Sequence, residues 1–268
     1  MIRGLLTLTA LACVTAGQPA WAGAWTLPKG AGYNKAALNL FFSDDTFGPA
    51  APGFERFSDI NVNYYGEYGL QDNLTLIGQL LLRRSTTTFD GDQTVNAGAG
   101  DFDLGLRYNF LNDGFVLSGQ FLFKGPYLYD EDAALPLGNG QEDFEFRLQL
   151  GRSLHPFGYF GVEAAYRLRL EEPADEFRYL IEYGFDATEN LYLRTKLDVI
   201  ESLGNTDPVF DPSGNPNFPF AFDLGRLEGT AGWRFSDTWS GEFTFTRNLF
   251  GDNILRGNSY QFGLIYEF

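Results

Sequence analysis

One residue in this sequence is of the type that most often transfers protons near neutrality. It is His155, the sole histidine, in Ser153-Leu154-His155-Pro156. A serine two residues from a histidine could in principle supply nucleophile and base. The stretch reads as a tight turn, however, and no pairing is expected there. Metal catalysis has one histidine and one cysteine, Cys13, to draw on, too few for a nitrogen or sulfur site. Asp130-Glu131-Asp132 clusters hard oxygen ligands but lacks the spacing of a calcium loop, so solvated loop charge is the expectation. Ala97-Gly98-Ala99-Gly100 precedes a strand pattern rather than a helix, and reads as a flexible loop rather than a phosphate cradle. Carboxylates are numerous, but no spacing singles out an acid/base pair for glycoside cleavage. No enzyme, cofactor or metal is expected.

The remaining chemistry is ionic, and it recurs at every second residue. Arg107, Arg147, Arg167, Arg169, Arg178, Arg194, Lys196 and Arg226 share strand faces with Glu145, Glu163, Glu182 and Glu228. In an extended strand alternate residues point to the same side, so these groups should converge on one surface. Two readings stay open. Arg167, Arg169, Arg178, Arg194 and Lys196 could form a cationic wall that attracts anionic solutes. Alternatively, ion pairs with Glu163, Glu182, Asp198 and Glu228 could simply fill the space.

The elements that must carry these groups are strands. From Lys35 onward the chain falls into segments of about ten residues that alternate apolar and polar, the weak but repeated signature of a transmembrane barrel strand. Ala36, Leu38, Leu40 and Phe42 oppose Lys35 and Asn39. Ile60, Val62, Tyr64 and Tyr68 oppose Asp59, Asn61, Asn63 and Glu67. Leu74, Leu76, Leu80 and Leu82 oppose Thr75, Gln79 and Arg83. The pattern continues to the C-terminus and yields twelve strands. Short turns are expected near Gln71, Asn112, Ser153, Thr188 and Asp237. Long loops are expected at 43–56, 85–100, 125–142 and 202–221, and shorter ones at 171–176 and 250–257. This predicts an all-β, twelve-stranded antiparallel up-and-down barrel over 33–268, apolar outside and ionic inside, with short periplasmic turns and longer extracellular loops. Small barrels are filled by side chains and large ones leave a channel; twelve strands fall between. A soluble barrel of lipocalin type, polar outside and apolar inside, would have to bury more bulky residues than its bore could hold.

The chain starts with Met1-Ile2-Arg3, an apolar run from Leu5 to Val14, and Ala20-Trp21-Ala22. This is the layout of a secretory signal, so residues 1–22 are expected to be removed, Cys13 with them. Residues 23–32 then form a short periplasmic segment, which could tuck Trp25 into the barrel mouth. A net charge of −16 argues against nucleic acid as a partner.

The final stretch, Ser259 to Phe268, places Tyr260, Phe262, Leu264, Tyr266 and Phe268 on one strand face. With its terminal aromatic, it resembles the signal strand of Gram-negative outer-membrane β-barrels. That resemblance implies insertion in outer-membrane lipid through the barrel-assembly machinery. The stretch Ala24-Trp25-Thr26-Leu27-Pro28-Lys29-Gly30 is similar to the opening of transporters encoded beside aromatic-degradation pathways. Together these imply a passive outer-membrane channel for small solutes, anionic or aromatic-acid in kind. The alternatives are a structural or surface-interaction barrel closed by salt bridges and, third, a lipid-modifying enzyme. Hydrolases and proteases of this architecture place a histidine at the outer leaflet, whereas His155 falls on a predicted periplasmic turn.

Overall fold

Alternation becomes a closed sheet when enough such strands pair edge to edge, since closure removes every unpaired backbone edge. A computed structural model describes residues 23–48, 52–171, 173–206 and 215–268. The proposed signal segment, Glu172 and the centre of the 202–221 loop lie outside them. The strands are β1 (Gly32–Phe47), β2 (Phe54–Gln71), β3 (Leu74–Phe89), β4 (Asp92–Asp113), β5 (Phe115–Gly125), β6 (Asp143–Ser153), β7 (Tyr159–Arg169), β8 (Glu176–Asp186), β9 (Leu191–Ser202), β10 (Asp223–Arg234), β11 (Trp239–Asp252) and β12 (Ile254–Glu267). Each pairs antiparallel with its neighbours in sequence, and β12 closes the ring on β1. The fold is a twelve-stranded antiparallel barrel, as the alternation predicts.

The closing seam shows how the pattern sets the register. Leu38 faces Phe262, Leu40 faces Tyr260 and Asn39 faces Gln261 across β1 and β12, so a slip by one residue would send amides to the apolar side. On the outside, Phe243 meets Phe262 with centroids 5.2 Å apart, and Trp239 meets Tyr266 at 4.8 Å. Tyr260, Phe262, Leu264, Tyr266 and Phe268 all lie on the exposed exterior, as do Phe146, Leu148, Ile181, Leu104 and Val62. The inner surface carries Asp59, Arg83, Arg107, Glu145, Glu182 and Glu242, all buried. Arg84 and Arg247 are exposed at outward positions, each five residues before the end of its strand.

The connector pattern needs correction. The described residues of 43–56, and the segment 85–100, are largely strand. β3 and β4 run on to an Asp90-Gly91 turn, whose positive φ angles of 48° and 85° are those of a tight hairpin. Ala97–Gly100 therefore lies within β4, paired with β3, and is not a loop. The segment 250–257 is also strand apart from Asn253, with φ of 53°. In the β3–β4 hairpin small and polar residues predominate on both faces, so period-two hydrophobicity vanishes although the pairing continues. The connection at 126–142, and the described residues 203–206 and 215–222, are true loops. They share one end of the barrel with the projecting hairpins, and the short turns share the other with the chain termini.

Candidate functional site

Every basic and acidic residue assigned to the bore points into it, and the antiparallel register brings opposite charges face to face. Glu145 opposes Arg167 across β6 and β7, Glu228 opposes Lys196, and Asp198 opposes Arg226. The resulting pairs are close: 2.8 Å for Glu145–Arg167, 3.1 Å for Glu228–Lys196 and 2.5 Å for Asp198–Arg226. Glu145 also holds Arg147 at 2.7 Å, and Arg147 reaches Glu163 at 2.6 Å. Arg194 lies between Glu182 at 3.7 Å and Glu242 at 3.4 Å. The salt-bridge network is therefore present, and all four of its anticipated carboxylates take part.

The pairs are nevertheless lopsided. In each one made by Arg147, Arg167, Arg178, Arg194, Lys196 or Arg226 the cation is the more exposed member. The Glu145 carboxylate is 2% exposed and the Arg226 guanidinium 37%. Carboxylates form an inner layer against the wall, and their partners cover them on the bore side. The ions are paired, and in these six the cation is the member more open to the bore. Arg169, at 3% exposed, is instead buried in the wall, and in Arg107–Glu67 the carboxylate is the more exposed member.

One group in this wall, Glu176, was not singled out from sequence, and neither were the partners of a second, Glu242. Glu176 joins Arg178 at 2.5 Å and Arg169 at 3.1 Å, although the stretch 171–176 reads as a loop. Its position two residues before Arg178 was the available signal. Glu242 gathers Lys35 at 2.5 Å, Arg194, and the Tyr192 hydroxyl at 2.9 Å. These contacts come from two other strands, β1 and β9, which no local pattern reveals.

Across the barrel from β6–β8 the wall formed by β11, β12, β1 and β2 is neutral over its middle. Gln261 Nε2 donates to Asn39 Oδ1 at 2.6 Å, Asn39 Nδ2 to Asn61 Oδ1 at 2.8 Å, and Asn61 Nδ2 to Asp59 at 2.5 Å. Each amide orients the next, and Thr244, Thr246 and Ser259 continue the surface. A cavity of about 760 Å³ lies between the walls, and basic side chains on its surface outnumber carboxylates ten to seven.

Both mouths are occupied by chain. At the terminal end residues 23–31 cross inside the barrel. Ser118 Oγ donates to the Ala24 carbonyl at 2.5 Å, Arg107 to the Trp25 carbonyl at 3.0 Å, and Leu27 N to Thr75 Oγ1 at 2.8 Å. Trp25 packs edge-on to Tyr159 and lies over Gly151, where a Cβ would come within 2.4 Å of the indole. The anticipated tuck of Trp25 into the mouth is thus present. Arg107 is drawn into this contact and also pairs with Glu67 at 3.0 Å.

At the other end the β5–β6 loop folds inward. Leu135 packs with Phe57 of β2 and Leu255 of β12, and Arg83 donates to the Leu137 carbonyl at 3.0 Å. The approach of Leu137 needs the missing side chain of Gly98, where a Cβ would lie 3.1 Å away. Asn215 of the β9–β10 loop ties on through the Pro136 carbonyl at 2.8 Å. Within the inward-folded loop Tyr129 donates to Asp101 at 2.7 Å. Burial, then the Asp101 charge, raises its phenol well above the ordinary value, so it remains a donor. Asp130, Glu131 and Asp132 are exposed. Ser153 and His155 lie exposed around the β6–β7 turn.

No protein-family model matches the sequence, and no curated protein does. Solved structures do. An outer membrane channel from Pseudomonas putida F1 superposes with a TM-score of 0.71 at 14% identity, over 94% of this chain and 100% of that one. The translocator domain of the autotransporter NalP from Neisseria meningitidis gives 0.58 at 14% identity, over 90% of each chain. The NanC porin gives 0.56 at 8% identity, over 88% of this chain and 100% of that one. At such identities the likeness establishes the architecture, and the barrel is of the kind seen in outer-membrane proteins.

Proposed function

We propose that this chain is an outer-membrane channel through which small anionic solutes diffuse passively. The observation that carries this reading is the layering of the bore, with paired carboxylates set behind more exposed guanidinium and ammonium groups. Paired charges that fill space need no such order. A pathway for anions does, because a cation ring sets selectivity only where solute can reach it. The exposed apolar exterior supports insertion in outer-membrane lipid, where an ionised outward group would cost roughly 2–4 kcal/mol at the midplane. With short turns and termini in the periplasm, the projecting hairpins and inward loops face outward from the cell. The outward aromatic face of β12 suits recognition by the barrel-assembly machinery.

The test is planar-bilayer recording of the purified protein under a KCl gradient. Unitary current steps with a reversal potential on the chloride side are expected. Steps with cation preference would overturn the anionic assignment. A second reading, a barrel with a closed lumen and a structural or surface role, is favoured by the chain in both mouths, and the absence of any steps would establish it.

A further inference from the structure

We infer that the chamber selects polyhydroxylated carboxylates, such as sugar acids, over aromatic carboxylates. This rests on the channel reading and narrows its solute class. A purely electrostatic filter would need only the β6–β10 wall, yet the opposite wall is built from amides and hydroxyls held in a fixed sense. In the Gln261–Asn39–Asn61 ladder each link consumes one donor and one acceptor. A primary amide offers two donors and two acceptor lone pairs. Asn39 therefore keeps a second N–H and a second lone pair, and Gln261 keeps its carbonyl oxygen. Paired donor and acceptor sites on a rigid row match the hydroxyls of a sugar, each of which both donates and accepts.

The two walls divide the recognition. Arg178, Lys196 and Arg226 take the carboxylate, with charge-assisted bonds that guanidinium groups direct well. The amide row takes the hydroxylated edge. An aromatic acid would satisfy the first wall and leave the second without partners, and unmet polar groups are costly once water is displaced. The aromatic rings of the cavity stand towards its ends. Tyr33 and Tyr65 meet edge to face near the terminal mouth, and Phe218 lies under Arg83 near the other. The middle, between Lys196 and Asn39, is lined by hydrogen-bonding groups.

The test compares glucuronate with 3-phenylpropionate, monoanions of similar size, by bi-ionic reversal potentials against chloride. Glucuronate should be the more permeant by about fivefold, the worth of one or two net hydrogen bonds. Equal permeability, or preference for the aromatic acid, overturns the inference while leaving the channel intact. Silence in plain KCl defeats the channel reading itself, and this one with it. In Asn39→Leu/Gln261→Leu the ratio should fall to near unity; an unchanged ratio also overturns the inference. Lys196→Gln/Arg226→Gln should lower both acids together and preserve the ratio. If the double leucine variant does not fold, Asn39→Ala alone reads the same ratio.

Discussion

The two sides of the bore hold their polar groups in place by opposite means. On β6–β10, ions of both signs fix one another, and a carboxylate such as Glu145 serves Arg147 and Arg167 at once. On β11–β2, neutral amides form a directional row that carries no net charge. The comparison shows that order and field are separable. Both walls are tied by side-chain contacts, but over the middle of the chamber one presents amides and the other presents ion pairs whose cations are the more exposed members.

The comparison can be broken most severely at Glu145. Glu145→Gln strands Arg147 and Arg167 beside a neutral amide, and loss of one partner from a buried ion cluster costs about 3 kcal/mol. Denaturant unfolding in detergent should show that loss, and surviving channels should be more anion-selective. Full stability would mean that the pairs are not structural.

Charge reversal tests the field next. Arg226→Glu with Lys196→Glu places negative groups at the most exposed cationic positions, and chloride preference should fall by about tenfold, equivalent to roughly 1.4 kcal/mol. An unchanged reversal potential would show that these side chains are not on the path. The same field should weaken with salt. Raising KCl from about 0.1 M to about 1 M shortens the Debye length from roughly 10 Å to 3 Å, so wild-type anion selectivity should decline steadily.

A smaller effect is expected at the terminal mouth. Trp25→Ala empties the contact with Tyr159 and the space over Gly151, and unitary conductance should rise by about twofold if residues 23–31 narrow the path. Unchanged conductance would make the segment a tether only. The smallest effect belongs to the outer surface. Arg84→Ala, at an outward position near a strand end, should alter stability by no more than about 0.5 kcal/mol and leave selectivity as it was.

Much of this was legible beforehand, for a stated reason. A strand in a barrel wall has one face against an apolar phase and one against water, so residue type alone assigns each side chain to a face. Arg178 and Tyr179 could be sorted in this way without coordinates. The method failed where that contrast ends. Thr86–Thr88 and Ala97–Gly100 carry small or polar residues on both faces, so they read as loops although their backbones pair. Glu176 was obscured for the same reason, next to a polar connection.

Sequence by itself determined the strand count, the inward set of charges and the apolar exterior, because all three follow from period-two alternation, a local property of the chain. Only the tertiary structure decided which ions pair, which member of each pair meets the bore, and what occupies the mouths. Glu242 meets groups from β1 and β9, and Leu135 reaches β2 and β12 from the β5–β6 loop. Such contacts depend on ring closure, which brings together residues far apart in the chain. Alternation records the side to which a residue turns, but not what stands opposite it.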